Sequence, residues 1–406
     1  MTRRAGTALA VGLGATLAAA GAQDPQRPVF RAGAALIVVD VQVIGRQGAP
    51  VPDLAPDDFE VRIDRQPRRV VSAEFVRIDT TAAARPAAPV TPETRAPDGS
   101  GGPAASRTFV LAVDESSFSP RNALAAMQAA RRFVEGLAPG DRIGVFKYPV
   151  YPKSIFLTTD HQAVLDELGH VMGVLDLPGG RYRLTLSEVV DITAGDPDVL
   201  ARVVRRECGG GATASCRREI VEEAKLFGMA AEGQVAQSAA GLRALFDALA
   251  DFPERKTVVI VSGGLLASDR VGGRPDVSGL ISEVGERAAR SNTNLYVLHL
   301  DTSFIDAFSA TGGRVSTSLM RESSALASGL DRFAGIAGGA LIRVEAGTGD
   351  YAFERVLRET SAYYLLSVEV EPADRDGRPH YISVSVNVRG ADVRSRAMVV
   401  IPAGGG

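Results

Sequence analysis

The sequence predicts an α/β protein: an open, mostly parallel sheet with helices on both faces, joined to a small all-β, sandwich-like unit made from the N- and C-terminal segments. Three observations predict it. Residues 108–113 and 257–261 are almost continuous apolar runs, as strands covered on both faces require. Helical patterns lie between these runs and others like them, the alternation that builds a parallel sheet. Segments of period two, the mark of half-buried antiparallel strands, lie towards the two ends of the chain.

In order along the chain, Arg3 and Arg4 precede an uncharged run over residues 5–20, and Ala20-Gly21-Ala22 supplies the small-x-small pattern of a cleavage site. Residues 1–22 therefore read as a signal peptide of an exported, periplasmic or extracellular protein, with an uncleaved anchor as the alternative. Residues 35–44, 59–63 and 69–75 alternate as strands of an N-terminal β unit over 28–79. Residues 80–106 are Ala, Pro, Gly, Thr and Ser with few apolar anchors, a composition that cannot bury a core and reads as a linker.

The central domain spans 107–348. Its first strand ends in Asp114-Glu-Ser-Ser-Phe-Ser-Pro120, where Ser119 can cap the next helix with Pro120 at its first position. Leu124, Met127, Ala130, Val134 and Leu137 mark one face of that helix, and Pro139-Gly140 stops it. Residues 143–146, 257–261, 295–300 and 340–344 are further strands, and an enlarged, largely helical insertion occupies about 175–255. A helix at 351–360 then leads into a three-stranded meander over 362–401, so that 349–403 form a C-terminal unit. Three strands are not stable alone in water, and pairing with the N-terminal β unit would bury both sets.

A net charge of −3 over 406 residues and an apolar fraction of 45% describe an ordinary surface, with no basic stripe for nucleic acid and no second apolar stretch able to span a membrane. Cys208 and Cys216 flank a Gly-rich turn; in an exported chain they read as a local disulfide, with free thiols as the alternative.

The strand and acidic-serine turn Val110-Leu-Ala-Val-Asp114-Glu-Ser116-Ser resemble the first strand and metal loop of von Willebrand factor A domains. So do Asp141-Arg-Ile-Gly-Val-Phe146 and the Leu157-Thr-Thr-Asp160 step into the next helix. The order of β unit, linker, A-like domain and closing Tyr-Tyr-Leu-Leu segment is similar to that of a group of exported bacterial A-domain proteins well represented among Acidobacteria. The resemblance implies a Rossmann-like sheet with a divalent cation at the carboxyl ends of its strands. The family holds that ion with an Asp-x-Ser-x-Ser turn, a Thr from a second loop and an Asp after the fourth strand, and hard oxygens of this kind suit Mg²⁺.

Asp114 and Ser116 match the first two positions. Phe118 stands at the third, Ser262 stands where the second Asp is expected, and Thr185 is a poor match for the Thr. The implied site is degenerate, and weak binding of Mg²⁺ or another divalent cation, or none, is expected. Without the ion, Asp114 would accept backbone N–H groups at the helix start.

Nothing in the sequence assembles an enzyme. The four histidines, His161, His170, His299 and His380, lack metal-ligand spacing, and there is no P-loop, dinucleotide fingerprint or Gly-x-Ser-x-Gly elbow. The expected function is binding of a protein or cell-envelope partner through the carboxyl-end face, with Asp114 and Ser116 at its centre and Ser262 on its rim. The alternative is a metal-free scaffold whose insertion makes the contacts. A hydrolytic role would need Ser262 as a nucleophile.

Overall fold

A computed structural model of the chain describes residues 35–78, 106–149, 155–175, 180–209, 214–250, 252, 254–301, 317–344 and 349–403. The expected signal peptide and nearly all of the expected linker lie outside these residues.

In chain order the strands β1 (Ala35–Ile44), β2 (Phe59–Ile63), β3 (Gln66–Arg68) and β4 (Val70–Arg77) come first. The alternating unit follows: β5 (Thr108–Asp114), α1 (Pro120–Glu135), β6 (Arg142–Tyr148), α2 (His161–Leu168), α3 (Leu186–Thr193), α4 (Pro197–Glu207), α5 (Ala214–Ala250), β7 (Lys256–Ser262), α6 (Ser278–Arg290), β8 (Thr293–Leu300), α7 (Thr317–Ala337), β9 (Ala340–Val344) and α8 (Gly349–Glu359). The strands β10 (Ala362–Val370), β11 (Pro379–Val386), β12 (Asp392–Ser395) and β13 (Met398–Val400) close the chain.

The fold class expected from the sequence is the one found. Five parallel strands form an open sheet in the order β6-β5-β7-β8-β9. Every residue of β5 and β7 is buried, because each strand has helices on both sides. Phe109, Leu111 and Val113 face Phe133 of α1 and Phe353 of α8. Val110 and Ala112 face the layer made by α5, α6 and α7, with Phe246, Ile281 and Phe333. Each such side chain contributes about 1.5–3 kcal/mol on burial. Ser119 Oγ accepts the Asn122 N–H at 3.4 Å and Pro120 opens α1, as the sequence requires. The helix α6, which the sequence reading does not identify, buries Ile281, Val284, Gly285, Ala288 and Ala289 at helical spacing.

Both ends of the chain build the β unit. One sheet runs β12-β1-β10-β4 and the other β13-β11-β2-β3, all antiparallel, with one shared core of Val39, Val41, Phe59, Val61, Tyr364, Leu366 and Ile382. The expected three-stranded C-terminal meander does not form. The segment between β10 and β11, with its Pro372–Asp374 turn and Gly377 at φ +76°, is long enough to carry the chain from one sheet to the other. The strands of the presumed meander therefore divide between facing sheets.

The helices α3 and α4 and the first half of α5 share a small core of Tyr182, Ile192, Val199, Leu200, Val203, Ile220 and Ala224. Cys208 and Cys216 are joined by a disulfide beside it, with Cα atoms 6.4 Å apart. The second half of α5 lies against the sheet. Among the described residues no helix is long and apolar enough to cross a membrane.

Candidate functional site

In the strand order of the sheet, the chain leaves β5 on one side and returns to β7 on the other. The carboxyl ends of β5 and β7 thus flank the point where the winding reverses, the usual ligand crevice of such a fold. Asp114 ends β5 and Ser262 ends β7. The two side chains meet there, with Ser262 Oγ 3.3 Å from Asp114 Oδ2.

Two more hydroxyls complete the cluster. Ser116, in the short turn after β5, donates to Asp114 Oδ1 at 2.7 Å. Ser238, from the middle of α5, stands 3.2 Å from both carboxylate oxygens and 3.0 Å from Ser116 Oγ. Backbone groups lock the turn from below: Ser117 Oγ donates to the Asp114 carbonyl at 2.7 Å and accepts the Gly263 N–H at 2.8 Å. Gly263 has to be glycine here, since a Cβ would lie 2.3 Å from the Ser117 carbonyl oxygen.

The chain itself covers this cluster. The N–H of Met172 donates to Glu115 Oε1 at 2.9 Å, and those of Val174 and Leu175 donate to the Glu115 and Phe118 carbonyls at 2.8 Å each. Gln234 of α5 donates to the Ser116 carbonyl. Asp114 is left 1% exposed and Ser262 0%. Burial pushes the Asp114 carboxyl up to about 6, against the opposing pull of the hydroxyls of Ser116, Ser238 and Ser262.

Asp114 and Ser116 therefore come together as the sequence suggests, but inside the protein. Ser262, expected on the rim, is at the centre. Phe118 turns into the core beside Val113, Ala123 and Met127. Thr185 takes no part: it caps α3, accepting the Glu188 N–H at 3.3 Å. Ser238 carries no sequence signal beyond its small neighbours in a 37-residue helix. Asp301 accepts a hydrogen bond from Ser323, and Glu223 accepts the backbone N–H groups of Arg181 and Tyr182.

The histidines stay apart. The ring of His161 contacts the Asp141 carbonyl at 2.9 Å, His170 is exposed, and His380 lies between Asp64 at 2.8 Å and Asp376 at 3.0 Å. His299 pairs with Ser262 in the strand register, yet its ring nitrogens are buried without hydrogen-bond partners. No group of three or more His, Cys, Asp or Glu among the described residues is placed to hold a metal ion.

No protein-family model and no curated protein matches the chain. Among solved structures, the SpRpn10 VWA domain is similar over 61% of this chain and 94% of that one, at 9% identity and a TM-score of 0.27. The pilus adhesin SpaC from Lactobacillus rhamnosus GG, in its open conformation, is similar over 88% of this chain, at 9% identity and a TM-score of 0.32. The chain spans about half the length of that adhesin, 48%. Likeness at these scores carries no argument about function, and the fold stands on the strand order and packing described above.

Proposed function

We propose that the protein is an exported binding module of von Willebrand factor A-like architecture, related to the exported bacterial A-domain group, whose sheet acts as a metal-independent scaffold. The contacts with a protein or cell-envelope partner are assigned to the outer surface of the helical insertion. One observation carries this reading: the one carboxylate that the described residues bring to the switch-point cluster, Asp114, is 1% exposed and is held by three hydroxyls from its own chain.

A divalent ion fits this donor set poorly. Mg²⁺ sites hold the ion with carboxylates and keep an exposed position for water or a partner group. Here a single carboxylate faces neutral hydroxyls that already donate to it, and α5 and residues 172–175 lie over the position a partner carboxylate would approach. The insertion, by contrast, presents Leu226 and Met229 to solvent on one face of α5. The Cys208–Cys216 disulfide beside α4 fits an oxidising compartment, in keeping with the signal-like start of the chain.

Calorimetric titration of metal-stripped protein with Mg²⁺ and Mn²⁺, beside Asp114→Ala, tests the proposal. No heat of binding and no shift in melting temperature are expected. Saturable binding that disappears in Asp114→Ala would restore metal-bridged adhesion as the better reading. A hydrolytic role finds no support in the Ser262 geometry, because the hydroxyl is 0% exposed and His299 makes no hydrogen bond to it. A serine-reactive probe is accordingly expected to leave Ser262 unlabelled.

A further inference from the structure

The segment that carries the chain between the two sheets of the β unit, from β10 to β11, is fastened at two places of different chemistry. Towards its start, Arg68 of β3 forms a two-pronged pair with Asp374, Nε to Oδ2 and Nη2 to Oδ1, each at 2.7 Å. Asp374 Oδ2 also accepts the Glu371 N–H at 2.9 Å. The Arg68 guanidinium holds the Asp374 carboxyl below its ordinary range and itself stays charged throughout the working range of pH. This fastening does not titrate near neutrality.

At the end of the segment the fastening is His380, the second residue of β11. Its Nδ1 lies 2.8 Å from Asp64 Oδ2, in the turn between β2 and β3, and its Nε2 lies 3.0 Å from Asp376 Oδ1. The Tyr381 N–H donates to the other oxygen of Asp64 at 3.0 Å, and the Arg378 N–H donates to the same oxygen of Asp376 at 2.8 Å. Both carboxylates are thus aimed at the ring by backbone groups, and the ring itself is 9% exposed.

An ionised carboxylate only accepts hydrogen bonds, and a neutral imidazole has a single N–H. Both ring nitrogens face carboxylate oxygens, so both contacts are hydrogen bonds only when the ring carries two protons and a positive charge. The surroundings favour that state: the hydrogen bond to Asp64 raises His380 above the ordinary 6.5, burial opposes it, and Asp376 adds to the rise. The other charged groups nearby are paired. Asp374 is committed to Arg68, Arg378 lies 3.9 Å from Asp376, and Glu60 and Arg62 of β2 bond to each other. The strand β13, whose Val399 pairs with His380, brings no titratable side chain.

We propose that His380 is a proton-operated latch, which when charged clips the end of the crossover to the β2–β3 turn and on losing a proton lets that end go. The neutral ring keeps one N–H, and the shorter contact, to Asp64, is the one it retains. Nε2 then turns a lone pair towards Asp376, and residues 375–378 are released while Arg68 still holds Asp374. Because the folded value lies above the unfolded one, the latch is fully closed below about 6.5 and is lost as pH rises through the raised folded value. It stays closed on acidification until the carboxyls protonate, and both are held below the ordinary 3.8, Asp64 by His380 and Asp376 by the Arg378 N–H. The device is independent of the Asp114 cluster and does not rest on the function proposed above.

The test is NMR titration of the His380 ring nitrogens in the full chain, with amide hydrogen exchange followed over the same range. Expected are a doubly protonated ring at pH 6.5, a midpoint above that value, and a lower midpoint in both Asp64→Asn and Asp376→Asn. Each variant keeps an oxygen to accept the N–H of Tyr381 or Arg378, so that it removes the charge and leaves the turn in place. Exchange at Arg378 should quicken as the ring loses its proton, beyond the intrinsic effect of pH. Glu371, held by Asp374, should follow the intrinsic effect alone. A midpoint at or below 6.5, a midpoint that neither substitution moves, or parallel exchange at Arg378 and Glu371 would overturn the latch.

Discussion

The two ends of the parallel sheet solve opposite problems. At the carboxyl end, a negative group is enclosed and every neighbour turns a hydroxyl or N–H towards it. At the amino end, opposite charges meet in ion pairs, with Arg255 3.1 Å from Asp40 and Arg394 2.6 Å from Glu359. Ligands in open α/β folds bind at the carboxyl ends of strands, at the reversal of the winding. In this chain that position holds Ser238 of α5 instead. A fold therefore indicates where a site is easy to build, while only the local balance of donors and acceptors indicates where one exists.

Four measurements would break or sharpen the contrast. The closed end should be the stiffer, and Phe118→Ala, which empties a core position beneath the turn, is expected to cost about 3–5 kcal/mol in denaturant unfolding. An effect below about 1 kcal/mol would mean that the turn is not anchored as described.

Next in size is the response of Asp114 to pH. Its folded value of about 6 stands above the ordinary 3.8, so between these values the unfolded chain holds fewer protons than the native one. Stability should fall as pH rises through this window, by on the order of 3 kcal/mol in total. Asp114→Asn should remove that slope. Parallel pH–stability curves for wild type and variant would refute the assignment.

Gly263→Ala drives a methyl group against the Ser117 carbonyl and should cost roughly 1–3 kcal/mol, read as a lowered midpoint. The smallest effect belongs to the surface of α5: Leu226→Ser, at a side chain 66% exposed, should change stability by no more than about 0.5 kcal/mol. A large loss there would show that this face of α5 is covered by a further contact.

What the sequence discloses follows distance along the chain. The buried strands β5 and β7, the Ser119 and Pro120 start of α1 and the pairing of Asp114 with Ser116 are local patterns, legible because neighbouring residues decide them. Ser238 was not legible: it meets Ser116 across 122 residues, and a serine among alanines in a long helix has no distinguishing context. The ion pair of Arg255 with Asp40 escaped notice for the same reason, since the two converge only through the packing of the β unit against the sheet. The division of β10 and β11 between two sheets escaped it too, because a strand's period shows which face is buried and not which neighbour it takes.

The pairing of Ala35 with Val370 also sets a timetable. A chain delivered from its N-terminus presents β1 and β4 long before β10, which lies between them, has appeared. The entropic cost of closing so long a loop grows only slowly with its length, so the delay is one of time more than of stability. During that interval β1 is a strand with free edges and with Leu36 and Val38 bare, both of which remain more than half exposed even in the finished fold at 52% and 54%. The α/β layer, whose strands all lie between residues 108 and 344, can assemble first and wait. The β unit is then the last part to close, and chains that stop short of residue 362 should aggregate through their opening strands.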